Sequence, residues 1–145
     1  MRRQFALLSL PLLLAIGCSS NPKPPAGYVR PEVLVRGPGP IFFGSGTTAP
    51  VTIDVQIANS GSMPITVRRV RIESPGMSQY SLAPTTREYR ETIASGQMAM
   101  VSMSATAYAS RARLDPTEPL LIRAVVELES GGVWIREVYT IRAER

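Results

Sequence analysis

The stretch Val51-Thr52-Ile53-Asp54-Val55-Gln56-Ile57-Ala58-Asn59-Ser60-Gly61-Ser62-Met63-Pro64-Ile65-Thr66-Val67 decides the fold. Val51, Ile53, Val55 and Ile57 alternate with Thr52, Asp54, Gln56 and Ala58, the period of a strand with one face in a core and the other in water. Residues 59–64 form a turn cluster, because Asn, Ser, Gly and Pro each favour chain reversal for a backbone reason. Ile65 and Val67 then restart the alternation. After Arg68-Arg69 the parity changes, and Val70 and Ile72 fall out of step with Val67. A β-bulge at Arg68-Arg69 repairs this: one extra residue lets Ile65, Val67, Val70 and Ile72 all face inward and turns the Arg residues outward.

Working outward, the same pattern predicts strands at 79–82, 87–93, 98–108, 120–129 and 133–142, with a short edge strand at 32–36 opening the domain. Turn signals separate them at Ser74-Pro75-Gly76, Ala94-Ser95-Gly96, Asp115-Pro116 and Ser130-Gly131-Gly132. The Gly pair reads as a tight hairpin, which makes the last two strands antiparallel neighbours. Ile122, Ala124, Val126 and Leu128 form the expected core face of the penultimate strand. In the last strand Val133, Ile135, Tyr139 and Ile141 compete with Trp134 and Val138 for the inward side, and Trp134 is a candidate to fill the sandwich centre. About seven short strands in about 100 residues, without an amphipathic helix, predict an all-β, immunoglobulin-like antiparallel β-sandwich, with a small antiparallel barrel as the alternative. The chain of 145 residues has a single Cys, so no internal disulfide can crosslink the sheets and apolar burial must hold them together.

The N-terminus has a different grammar. Arg2 and Arg3 precede an apolar run at 5–16, which ends at Gly17 and Cys18 before a polar stretch. This is the three-part pattern of an export signal, and the run falls short of the roughly 20 residues that span a bilayer. Ala15-Ile16-Gly17-Cys18 resembles the lipobox of bacterial lipoproteins, in which cleavage after the small residue leaves an acylated Cys as the mature N-terminus. That resemblance implies cleavage after Gly17, lipidation of Cys18 and attachment of the protein to a membrane through several acyl chains. Ordinary cleavage after the same Ala-x-Gly sequence is the other reading, with Cys18 a free thiol. Arg2-Arg3-Gln4-Phe5 also resembles a twin-arginine export motif, while the Leu-rich core fits the general secretory route. Ser19 stands where Asp resembles the inner-membrane retention signal, so the expected site is the outer membrane, facing the periplasm. Residues 1–17 are thus read as signal peptide, 18–40 as lipidated Cys and Pro/Gly-rich tether, and 41–145 as the sandwich domain.

The segment 55–67 also resembles the apolar-strand, Asn-x-Gly, Pro-Ile-x-Val hairpin of Ig-like modules in bacterial surface proteins, and of the late-embryogenesis-abundant type 2 domain. Thr92-Ile93-Ala94-Ser95-Gly96-Gln97 corresponds to the turn before another core strand. The likeness implies a sandwich that binds or supports, and it implies no active site.

Residue chemistry points the same way. The chain has no His, which excludes an imidazole base, a His metal ligand and a Ser/His/Asp relay. Its carboxylates are scattered singly, and its only Lys, Lys23, lies in the tether. No cofactor or metal is expected, and no catalytic residue is assigned. Met98, Met100 and Met103 could offer thioethers to copper, but core packing is the preferred reading. Arg is the concentrated feature: Arg68, Arg69 and Arg71 on one strand, Arg87 and Arg90 on another, Arg111 and Arg113 before a turn. Arg68, Arg69 and Arg71 form the candidate patch for an anionic partner, with solvated strand faces as the bland reading. Losing Arg2 and Arg3 with the signal leaves the mature chain only mildly basic, and nucleic acid is not an expected partner. The expected function is a non-catalytic binding or scaffolding module, an accessory subunit docking an envelope protein. The alternative is a binder of a small ligand or of an envelope polymer such as peptidoglycan or lipopolysaccharide.

Overall fold

The computed structural model describes residues 22–37, 41, 43, 46–76, 80–109 and 120–143. Eight strands make two antiparallel sheets: β1 (Glu32–Arg36), β2 (Thr48–Ala58), β3 (Ile65–Glu73), β4 (Tyr80–Leu82), β5 (Thr85–Ile93), β6 (Met98–Ala109), β7 (Leu121–Ser130) and β8 (Val133–Arg142). The first sheet runs β1-β2-β6-β4 and the second β5-β3-β7-β8. With β1 to β4 taken as A to D and β6 to β8 as E to G, these are the ABED and CFG sheets of an immunoglobulin sandwich. The added strand is β5, which lies beside β3 at the edge of the second sheet.

The alternation that predicted the strands also builds the core. Val51, Ile53, Val55 and Ile57 of β2 are buried against Val67, Val70 and Ile72 of β3, with Met103 of β6 and Ile122, Val126 and Leu128 of β7 in the same cluster. The register of β3 slips between Val67 and Arg69 against both β5 and β7, so the bulge lies where the parity change required it. Gly131 and Gly132 close the β7–β8 hairpin with φ of 56° and 77°, the left-handed pair that a two-residue turn of this hand needs.

Three expectations are corrected. Trp134 does not fill the centre: pairing of Glu129 with Trp134 puts both on the outer face, and Ile135 takes the buried position. Of the three methionines, only Met103 is core; Met98 and Met100 are exposed on the outer face of the first sheet, because Ala99 and Val101 hold the inward parity. The boundary drawn at residue 41 moves back to Pro25. β1 pairs with β2 along its whole length, with Val35 fully buried.

Ahead of β1, residues 25–31 form a strap that closes the side of the sandwich between β1 and β8. A turn with the Tyr28 N–H donating to the Pro25 carbonyl, and Gly27 at φ 84°, starts it. The Tyr28 hydroxyl donates to Glu137 at 3.0 Å, Arg30 pairs with Glu137 at 2.8 Å and lies 4.3 Å from the Tyr139 ring centroid, and the Tyr139 hydroxyl donates to the Pro31 carbonyl at 2.8 Å. Proline removes backbone donors, so this stretch joins neither sheet and is held by side chains instead.

The other open edge is guarded as well. Among the described residues, the side of β6 away from β2 has no strand neighbour between 98 and 104, since β4 pairs only with Ala107, Tyr108 and Ala109. There Arg87 and Tyr89 of β5 both donate to the Ser102 carbonyl, at 2.9 and 3.3 Å. An exposed ladder edge is thereby partly capped.

Candidate functional site

The bulge decides what the outer face of the second sheet presents. With one extra residue in β3, Arg68 and Arg69 both turn outward, and Arg71 follows on the same side. Three guanidiniums therefore share one strip, and each meets a carboxylate from a neighbouring position. Arg68 donates from Nε to Glu129 at 3.0 Å, Arg69 bridges Glu88 at 2.9 Å and Glu127 at 3.1 Å, and Arg71 pairs with Glu73 at 2.6 Å. Arg123 joins Glu73 at 3.5 Å. The hydrogen bond to Glu88 and the charge of Glu127 raise the Arg69 pKa further above its ordinary value, so it is a fixed cation at every relevant pH. Such exposed pairs add little stability individually, and their main effect is to hold the side chains in place.

At one end of this lattice is a shallow cleft of about 220 Å³, lined by Arg68, Arg69, Glu88, Tyr89, Arg90 and Trp134. Trp134 is 54% exposed, with the Arg68 guanidinium 5.9 Å from its ring centroid. Arg90 has no carboxylate partner among the described residues. The cleft thus offers a flat indole, one unpaired guanidinium and an acceptor in Glu88, which suits recognition of a surface carrying both apolar and anionic groups.

The structure brings Arg68, Arg69, Arg71 and Arg90 to one face and separates Arg87 from them. Arg87 lies on the opposite side of β5, where it reaches β6 and stacks near Tyr89 at 5.4 Å. Gly17, Cys18, Arg111 and Arg113 lie outside the described residues. Trp134 was expected inside, and its place in the cleft became legible only with the β7–β8 register. Among the described residues no group of three or more His, Cys, Asp or Glu side chains could hold a metal. The outer face of the first sheet differs in chemistry: Met98, Met100, Leu34, Gln56 and Tyr108 share it with serine and threonine hydroxyls, and its ionised groups are few.

No family model matches the chain, and no curated protein matches it. Among solved structures it is similar to Northeast Structural Genomics Consortium target SoR45, at a TM-score of 0.52 and 10% identity over 80% of this chain and 86% of that one. A likeness at that identity speaks for the sandwich fold alone. A second match is to a β-glucosidase involved in saponin metabolism from intestinal bacteria, at a TM-score of 0.32 and 18% identity, covering 77% of this chain and 16% of that one.

Proposed function

We propose that this chain is a membrane-anchored envelope lipoprotein whose Ig-like domain is a non-catalytic binding and scaffolding module. Signal cleavage after Gly17 and acylation of Cys18 supply the anchor, in the outer membrane facing the periplasm. The domain docks a partner protein through the outer face of the second sheet. The observation that carries the docking role is the exposed Trp134 beside pre-ordered Arg68 and Arg69 and an Arg90 with no carboxylate partner among the described residues. Tryptophan and arginine dominate binding energy at protein interfaces, and side chains already held by ion pairs lose little freedom on docking.

Two measurements test this reading. The intact mass of protein purified from membranes should equal residues 18–145 plus acyl groups, and Cys18→Ala should abolish that species. Capture from solubilised envelopes should then yield one dominant protein that is lost with Trp134→Ala and Arg90→Ala. Retention on purified peptidoglycan or lipopolysaccharide, lost with the same substitutions, would transfer the face to an envelope polymer and overturn the protein-docking role.

A further inference from the structure

We infer that the end of the sandwich formed by residues 59–64, 94–97 and the Gly131-Gly132 turn is a docking surface for phospholipid headgroups, so that the domain stands end-on to the bilayer. The inference rests on acylation of Cys18 as proposed above and goes beyond it by fixing which surface meets the lipid. Its first support is where the chain enters the folded body. Pro25 sits against the β7–β8 turn, 3.5 Å from where a Cβ on Gly131 would lie. A Cβ on Gly27 would lie 3.6 Å from the Ser62 hydroxyl and 3.9 Å from the Met63 sulfur, and Val29 packs on Gly61. Cys18 is seven residue steps from Pro25, a reach of at most about 25 Å even when fully extended. Strands of 10 to 12 residues make the body roughly 30–40 Å long. The opposite end therefore lies farther from Pro25 than the linker can reach.

The second support is charge. The three loops read Asn-Ser-Gly-Ser-Met-Pro, Ala-Ser-Gly-Gln and Gly-Gly, without one ionisable side chain. Ser60, Ser62, Ser95, Gly96, Gly131 and Gly132 are all exposed. Within these loops there is no carboxylate to repel phosphate and no ion pair to desolvate, the exposed carboxylate of Glu32 on β1 standing outside them beside Ala58, while the Ser60 and Ser62 hydroxyls can donate to phosphate oxygens. Lys23, the chain's only Lys, lies exposed on the approach to this end and is attracted to anionic lipid.

The third support is rigidity. Asn59, 1% exposed, ties two of the loops together: its N–H donates to the Gln97 carbonyl at 2.9 Å, its carbonyl accepts from Gly96 at 2.8 Å, and its side chain holds Met63, Ile93 and Gly61. The Ser95 hydroxyl donates to the Gly61 carbonyl at 2.7 Å. The surface is therefore pre-formed and needs no ordering on contact.

The test uses the full acylated chain in vesicles of phosphatidylethanolamine and phosphatidylglycerol that carry a headgroup-linked quencher. With Cys18 acylated, an introduced cysteine is the only reactive thiol, so a fluorophore is placed by Ser60→Cys or Ser62→Cys at this end, and by Arg142→Cys at the other. Loss of emission from the Ser60 and Ser62 labels, with little from the Arg142 label, is expected. Equal loss from both ends, or greater loss at Arg142, in protein whose mass shows the acyl chains overturns the end-on surface while leaving the lipoprotein reading intact. A mass without acyl groups removes the foundation of both.

Discussion

Asn59 Nδ2 donates to the Ile93 carbonyl at 3.1 Å, so a single buried amide fastens the loop after β2 to the last residue of β5. The same NH₂ group donates to the Met63 carbonyl at 2.8 Å, and Oδ1 accepts from the Gly61 N–H at 3.0 Å. Asn59→Ala strands two carbonyls and one amide away from water, and should cost about 2–4 kcal/mol, read as a lower urea midpoint at unchanged slope. Asn59→Asp should lose more at pH 7 than at pH 4, because only the protonated carboxyl can donate to a carbonyl. Equal losses at the two pH values would show that those carbonyls are not the cause.

The bulge gives a prediction about deletions. Removing Arg68 leaves Val67-Arg69-Val70, which keeps both valines inward, and forfeits one partly exposed ion pair with Glu129. The deletion should fold at a cost of about 1 kcal/mol. Removing Arg71 instead turns Ile72, which is fully buried, toward solvent. That deletion should cost about 2–5 kcal/mol or abolish folding. Denaturation of the two variants side by side checks the contrast, and equal losses would mean that the bulge does not set the phase.

Alkaline stability should report on the strap. Burial, helped by the charge of Glu137, pushes the Tyr139 pKa up to about 12, and burial together with the hydrogen bond to Glu137 raises that of Tyr28 as well. Both folded values lie above the unfolded one near 10, so the stabilisation is complete below pH 10; the Tyr139 share is lost as pH rises through about 12 and the Tyr28 share at higher pH still. Denaturation from pH 8 to 12 should show this loss. The double variant Tyr28→Phe/Tyr139→Phe should start lower and fall less steeply; parallel curves would exclude the phenols.

Arg87 and Tyr89 guard the β6 edge, and their removal should be seen in solution. Arg87→Ala/Tyr89→Ala frees the Ser102 carbonyl on a ladder edge with no strand beside it among the described residues, which is a template for pairing with another chain. Light scattering should show concentration-dependent association of the double variant and a monodisperse parent. An unchanged scattering profile would mean that the edge is protected by something else.

Much of this architecture was legible in the sequence, because alternation is a local property. Val51 to Ile57 show their inward face without any partner, and the parity break at Arg68-Arg69 locates a bulge because buried residues cannot change sides. The last strand could not be resolved in that way: Val133, Ile135, Tyr139 and Ile141 against Trp134 and Val138 is nearly balanced, and only register with β7 decides it. The methionines misled because Met98, Met100 and Met103 do not share a parity, and apolar character alone does not say which residues are inside. The strap was read as spacer because proline density reports missing backbone donors, whereas what seats it are Tyr28, Arg30, Glu137 and Tyr139, over 100 residues apart in sequence. The Arg residues announced a charged face, but the partners of Arg68 and Arg69, which are Glu88 on β5 and Glu127 and Glu129 on β7, become visible only once the strands are paired; Glu73, the partner of Arg71, is two residues on in β3 itself.

The order of strands in the two sheets also governs when the molecule can form. All five successive connections from β2 to β7 pass from one sheet to the other, and each sheet has partners from both halves of the chain. β2 waits for β6, and β3 waits for β7. A chain emerging N-terminus first from a ribosome or an export channel can therefore close the first sheet only once residue 109 has appeared, and cannot join β3 to β7 in the second until residue 130 has. Folding dominated by such distant pairings is slow, on the millisecond-to-second scale. The chain thus remains threadable through a narrow pore until most of it has passed.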